Sequence, residues 1–312
     1  MFDVVELAAG VRRVTFPLPT KPRHVHGYLL TGQDGWTLVD TGLAWPDLEE
    51  RVLALGVPIA RVVVTHFHPD HVGGADQVRA ATGAPVLQGE LDYEQCEHVW
   101  GNPRWPERMA GWFAEHGVPK EITDDLIAVG SAYGAFIRFA RDPERLREGD
   151  LVDGWEVIPV PGHADGHIAL ARDGALVAGD HLLPRMSPAV GLYPDSRPDP
   201  LADYLDSLRR TAELAPRVVY PGHGDPIEDA AGRARELIEH HRLRLDATEA
   251  ALGDQPRTGY EVSYVVFGGE LAPAGRRFAV AETLSHLVRL AAGGSAERVA
   301  EGGIVRWRRR GA

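Results

Sequence analysis

Residues His66, His68, Asp70 and His71 place four metal-capable side chains within six consecutive positions, in a chain of 312 residues with 14 histidines. They follow Val62–Val64, which reads as a buried strand, and precede the pair Gly73 and Gly74. Side chains two apart at a strand end face the same way, so His66 and His68 aim at one point. Pro69 favours the first turn of a helix. Asp70 and His71 on that turn reach a second, adjacent point. Imidazole with carboxylate suits zinc, with manganese or iron as alternatives. The competing reading is a solvated histidine-rich loop, and it loses weight because matching donors recur downstream.

Those donors are His163 in Pro161–His167, Asp180 in Ala178–His181, and His223 in Tyr220–Gly224. Each follows a short apolar run: Val157–Val160, Leu176–Ala178 and Val218–Tyr220. Loops at one edge of a sheet converging on a site would give this pattern.

In this order (His-x-His-x-Asp-His, then Gly-His, Gly-Asp and Gly-His) the chain resembles the metallo-β-lactamase-fold hydrolases over residues 61–224. The resemblance implies an α/β fold, an αββα sandwich, with two metals. His66, His68 and His163 would hold the first metal. Asp70, His71 and His223 would hold the second, and Asp180 would bridge both. Two zinc ions are expected, with iron or manganese as alternatives. A hydroxide between them would be the nucleophile, and Asp70 would accept its hydrogen bond and later pass a proton to the leaving group. No cysteine stands in any ligand block, unlike several true β-lactamases of this fold. Asp40, in Asp40-Thr41-Gly42, is expected to support a ligand loop, with a turn cap as its plain alternative. Asp165 would add an anion near the site. His167 is expected to back the ligands, and His181, Arg185, Ser187 and Tyr193 are candidates to touch substrate. His24 and His26 have no assigned role.

The elements that must position these residues are legible in outline. Residues 3–40 alternate as antiparallel strands, Pro46–Leu55 and Ala75–Thr82 fit helices, and Pro85–Gln88 is a further strand. Residues 90–147 break the β-rich rhythm with Trp100, Trp105, Trp112, Phe113 and other aromatics. They read as a mostly helical insertion, a lid or a contact in a homodimer. His98 and His116 within it are expected at the surface or at helix caps. Strands return over Trp155–Val160, His167–Arg172 and Ala175–Ala178. A long proline-rich loop then leads from Asp180 to a helix over 200–214. A second long helix, Glu228–Leu252, carries His240 and His241, which point about 100° apart and are expected in solvent or capping.

This divides the chain into a catalytic domain over 1–252 and a C-terminal unit over 253–312, joined through Gly253–Arg257. Helices over Gly259–Phe267 and Arg277–Ala292, then a strand over Ile304–Arg308, read as a small winged-helix-like domain. The β-lactamase-like-protein-2 and hydroxyacylglutathione-hydrolase-like branch resembles this layout, and it includes single-strand endoribonucleases. Arg306–Arg310 is either a nucleic-acid contact or, with more weight, a solvated tail.

Composition bounds the alternatives. Hydrophobic content of 44% and charged content of 25% are those of a globular protein. No apolar stretch approaches the roughly 20 residues of a membrane helix, so no membrane contact is expected. The N-terminal residues lack a signal-peptide pattern, so a cytoplasmic location is the default. Cys96 is the sole cysteine, which excludes an internal disulfide. The net charge of −12 counts against nucleic acid as the general partner. Residues 255–312 run the other way, with nine Arg against five Glu, a local excess of four. The expected function is therefore a binuclear metal-dependent hydrolase of a small ester, thioester or lactone. A phosphodiesterase or endoribonuclease of the same fold, and a non-catalytic metal-stabilised binding module, are the rivals.

Overall fold

The computed structural model describes residues 2–253 and 255–311. Met1 and Ala312, at the ends of the two expected units, and Asp254, in the expected linker, lie outside the described residues. The first sheet takes β1 (Asp3–Ala8), β2 (Val11–Pro17), β3 (His24–Thr31), β4 (Trp36–Val39), β5 (Ile59–Val64), β6 (Val86–Gly89) and β7 (Glu144–Leu146) in sequence order. It is antiparallel as far as β3–β4 and parallel from β4 onward. Helices α1 (Leu48–Leu53), α2 (Pro69–Val72) and α3 (Ala75–Thr82) connect its parallel strands. Between β6 and β7 come α4 (Glu90–Val99), α5 (Trp105–Glu115), α6 (Lys120–Ala132) and a 3-10 turn over Tyr133–Phe136. The second sheet contains β8 (Leu151–Val152), β9 (Trp155–Pro159), β10 (Ile168–Arg172), β11 (Ala175–Gly179) and β12 (Val218–Pro221) in the order β12-β11-β10-β9-β8. Helix α7 (Pro200–Leu214) crosses from β11 to β12, and α8 (Ala230–Ala251) follows.

Alternation along the strands builds the layers. Val62 and Val64 face the helices with Leu48, Val52, Ala75 and Val78, while Val63 faces the other sheet with Tyr28, Leu170 and Val177. The unbroken valine run is thus a strand buried on both faces. In the second sheet Ile168 and Leu170 meet the first sheet, whereas Ala169 packs with Leu201, Tyr204 and Leu208 of α7. Three apolar layers between helices, sheet, sheet and helices make the αββα sandwich.

The C-terminal unit consists of β13 (Arg257–Thr258), α9 (Gly259–Phe267), α10 (Pro273–Ala292), β14 (Ala296–Glu301) and β15 (Ile304–Arg309), its strands ordered β13-β15-β14. Thr258 and Glu261 form a reciprocal capping box that starts α9. The expectation of a solvated tail at Arg306–Arg310 does not hold. Trp307 is buried, 3% exposed, because alternation in β15 turns it inward. Arg308 pairs with Glu297, Arg306 approaches Glu261 at 3.8 Å, and Arg309 donates to the Glu249 carbonyl at 3.1 Å.

Met109, Trp112, Phe113 and Leu126 of the insertion share one core with Val262, Val280, Leu284 and Trp307. Of the aromatics that set residues 90–147 apart, Trp105, Trp112 and Phe113 are therefore matched by an apolar face in the C-terminal unit, while Trp100 packs on the core of the first sheet. His116 caps the C-terminal end of α5, one of the two roles expected of it, but is buried at this junction, and its carbonyl accepts the Tyr260 N–H at 3.2 Å. His98 is exposed.

Candidate metal centre

The candidate ligands stand just beyond the C-terminal ends of β5, β9, β11 and β12. His66 and His68 follow β5, and Asp70 and His71 lie on α2. His163 follows β9, Asp180 follows β11 and His223 follows β12. Asp40 follows β4 in the left-handed region, at φ 60°, a conformation that Asp and Asn tolerate better than most residues. That backbone turns its carboxylate into the first sheet. There it accepts the Thr65 N–H and hydroxyl, each at 2.8 Å, and His71 Nδ1–H at 2.7 Å. Close packing is obligatory at Gly222, where a Cβ would fall onto Asp180 Oδ1 and within 2.8 Å of His71 Cε1.

Hydrogen bonds to the outer ring nitrogens fix which nitrogen faces inward. His163 Nδ1 donates to the Ala189 carbonyl at 2.8 Å, and His223 Nδ1 donates to the His24 carbonyl at 2.8 Å. Thr65 has committed its hydroxyl proton to Asp40, so its oxygen accepts His66 Nδ1–H at 3.0 Å. In their neutral forms, the ones that can hold a cation, His66, His71, His163 and His223 therefore all present an unprotonated Nε2. His68 differs, with Nδ1 lying 2.9 Å from His163 Nε2. Asp180 Oδ1 is 3.4 Å from His71 Nε2, and Asp180 Oδ2 is 3.6 Å from His163 Nε2 and 3.4 Å from His223 Nε2. Asp70 Oδ2 is 3.4 Å from His223 Nε2 and 4.0 Å from His71 Nε2.

These donors group as His66–His68–His163, His66–His71–Asp180 and Asp70–His71–His223, all atoms within a group lying within 4.8 Å of one another. Neighbouring ligands of a tetrahedral zinc are about 3.4 Å apart for metal–nitrogen bonds near 2.05 Å, so the spacing suits small cations. His66 Nε2, His71 Nε2 and Asp180 Oδ1 are buried with no hydrogen-bond partner among the described residues. Unpartnered buried polar atoms cost about 1–3 kcal/mol each, and cations would relieve all three. The donor set fits two metal ions.

The electrostatics agree. Burial, then its neighbouring histidines, holds His66 far below the usual histidine range. Burial and then His163 push His68 down to about 3. For His71 and His223 burial acts the same way, but the carboxylates outweigh it, Asp180 foremost. His71 is raised well above the usual value and His223 to about 10. Burial opposes ionisation of Asp180, yet His223 and His71 hold it well below the usual carboxylate range. Asp70 is lowered against burial by His71 and His223. Ionised carboxylates and protonated imidazoles are thus paired where the second group of ligands meets.

His181, Ser187 and Tyr193 are engaged with other parts of the fold. His181 is fully buried, its Nε2 2.7 Å from Thr211 Oγ1 and its carbonyl accepting Tyr204 O–H, because the residue after Asp180 turns beneath the sheet edge. Ser187 faces α8, its Oγ 3.5 Å from His241 Nε2. Tyr193 stacks on Trp112 at 5.9 Å in the junction core. Arg185 is exposed and has no ion-pair partner among the described residues. Asp165 is turned to the Arg197 N–H at 2.9 Å, and burial raises its carboxyl. His167 is buried against His66, with ring centroids 4.4 Å apart.

His241 is buried, contrary to expectation. His286 Nδ1 donates to the Glu282 carbonyl, so its Nε2 accepts from His241 Nδ1 at 3.3 Å. That chain of bonds is complete without an ion.

Sequence reading missed two supports. The proline-rich loop acts on the site through the Ala189 backbone carbonyl, which no side-chain pattern signals. Asp92, buried in α4, accepts the Phe67 N–H at 2.8 Å between His66 and His68. Its signal was an acid one helical turn before Cys96, on the side that α4 buries.

Comparison with known proteins agrees with this geometry. Residues 20–223 match the model of the metallo-beta-lactamase superfamily, and residues 245–310 match the metallo-beta-lactamase-like C-terminal domain. A probable metallo-hydrolase of Bacillus subtilis, YqjP, is 31% identical over 283 residues, 81% of this chain and 84% of that one. The beta-lactamase-like protein 2 homolog of Drosophila melanogaster is 27% identical over 70% of this chain and 64% of its own length. Among solved structures, a metallo-beta-lactamase family protein from Thermus thermophilus superposes with TM-score 0.85 at 36% identity, covering 98% of this chain and 100% of that one. A beta-lactamase domain protein from Burkholderia ambifaria gives 0.87 at 31%, covering 98% and 94%. From its four ligand blocks to its C-terminal unit, the chain belongs to the metallo-beta-lactamase superfamily.

Proposed function

We propose that the protein is a hydrolase of a small ester, thioester or lactone working with two metal ions, zinc being the ion best suited to this mix of imidazole and carboxylate. The observation carrying this reading is the convergence of seven donors from four strand ends, three of their buried acceptor atoms lacking any partner. When bound, such a pair of cations acidifies solvent and polarises a carbonyl oxygen.

The chain's own residues supply the rest. Asp40, Ala189 and the His24 carbonyl hold the imidazoles in the tautomers described above. Asp70, the more exposed of the two carboxylates, accepts the proton of the attacking water at Oδ2. The water oxygen bonds to the carbonyl carbon, the C–O or C–S bond breaks, and the proton passes from Asp70 to the departing alkoxide or thiolate.

The nucleic-acid alternative is less well supported. Arginines that would line a basic groove in the C-terminal unit face acids: Arg306 meets Glu261, Arg308 meets Glu297 and Arg298 meets Glu115. A hydrolysis panel of p-nitrophenyl esters, acyl thioesters, lactones, bis-p-nitrophenyl phosphate and single-stranded RNA tests the choice. The acyl reading requires turnover of an ester, thioester or lactone that is lost in Asp70→Ala. Turnover confined to the phosphodiester or RNA would replace it.

A further inference from the structure

A cleft of about 190 Å³ opens between the insertion and the start of α10, walled by Trp100, Trp105, Met109, Ile127 and Arg277. Its apolar walls are large and close-set. An engineered apolar cavity of about 150 Å³ holds benzene, so this one accommodates a ring or a short branched acyl chain. Arg277 lies at the cleft half-buried, with no ion pair or hydrogen bond to another side chain among the described residues. Most arginines nearby are engaged: Arg108 with Asp195, Arg276 with Ser263 and Arg289 with Asp199. The guanidinium is seated by Gly130 of α6, where a Cβ would overlap Arg277 Nη1. Ser131 and Asn102 also line the cleft.

The cleft is tied to the ligand loop from two sides. The Trp100 indole N–H donates to the Phe67 carbonyl at 2.8 Å, and Phe67 stands between His66 and His68 with its ring 4.7 Å from that of His68. Gly134 lines the cleft, and two residues on, the Phe136 carbonyl accepts the Ala44 N–H and abuts Gly73, just beyond Asp70 and His71.

We propose that this cleft recognises the part of the substrate remote from the scissile bond, and that this part is a ring-sized apolar group ending in a carboxylate. Trp100, Trp105 and Met109 take the apolar body, and Arg277 takes the anion. A planar guanidinium matches a carboxylate in two parallel hydrogen bonds. The assignment rests on the ester-hydrolase reading for the identity of the reaction, but not for the existence of the subsite.

Equilibrium titration of the metal-loaded protein with cyclohexanecarboxylate and with uncharged cyclohexanemethanol, followed by tryptophan emission, tests it without turnover. The carboxylate should bind at least about tenfold more tightly, the scale of a charge-assisted pair. Arg277→Met should reduce it to the level of the alcohol, Arg277→Lys should restore part of the difference, and Trp105→Ala should weaken both ligands. Equal binding of the two ligands, no saturable binding, or a carboxylate preference that survives Arg277→Met would overturn the proposal. If the preference holds and no ester in the panel is hydrolysed, the reaction assignment fails and the subsite stands. If esters are hydrolysed and Arg277→Met leaves the titration unchanged, only the subsite fails.

Discussion

Asp40 Oδ2 lies 2.7 Å from His71 Nδ1, while Oδ1 of the same carboxylate accepts the Thr65 backbone N–H at 2.8 Å. One buried side chain at the end of β4 thereby fixes both the end of β5 and the imidazole on α2. It also acts on His66 through the Thr65 hydroxyl. Two candidate ligands, His66 and His71, thus depend on a residue that is not itself one.

Asp40→Ala should weaken metal binding by about 10–100-fold, the usual effect of removing such a support, measured by competition with a chromogenic chelator. Asp40→Asn keeps a residue tolerant of positive φ and isolates the loss of charge. A competition curve identical to wild type in both variants would mean that Asp40 only caps the turn.

Asp180 stands between the two ligand groups, within 3.6 Å of His71, His163 and His223. Asp180→Asn should lower metal content from about two equivalents per chain to one or fewer, with unchanged far-ultraviolet circular dichroism. Two equivalents retained by the folded variant would contradict the bridging role.

Three histidines away from the candidate ligands are buried and held neutral: His241 is pushed down to about 3, His116 and His286 to about 4, in each case by burial first. The unfolded chain protonates these rings near pH 6.5, whereas the folded protein does not. Stability from these groups is therefore full above about pH 6.5 and falls as pH drops toward about 4. Each contributes a slope of about 1.4 kcal/mol per pH unit once well below the ordinary histidine value. His286→Leu should reduce the stability difference between about pH 6 and about pH 5, from urea midpoints, by about that amount. An unchanged difference would show that His286 takes up a proton in the folded state.

Trp112 of α5 and Trp307 of β15 belong to the same apolar cluster although they are far apart in the chain. Trp307→Ala should cost about 3–5 kcal/mol and raise amide exchange in α5 and α6 as well as in the C-terminal strands. Protection of α5 and α6 at wild-type levels would mean that the insertion is held by the catalytic sandwich alone.

The amino-acid sequence by itself determined where strands end and which donors cluster, because both are carried by local signals, and the sandwich followed from the family resemblance that those donors carry. Strand ends announced by valine runs and glycines place the histidines, and a two-residue period divides each strand between two layers. Tertiary structure alone decided what the long-range partners are. His181 sits beside an α7 threonine, Tyr193 lies on Trp112 and Trp307 is buried, because each position depends on a surface contributed by a distant segment. The same holds for the outer hydrogen bonds that aim the imidazoles. His163 relies on the Ala189 carbonyl and His223 on the His24 carbonyl. Every residue carries a carbonyl, so its role comes from where the chain brings it and not from which residue bears it.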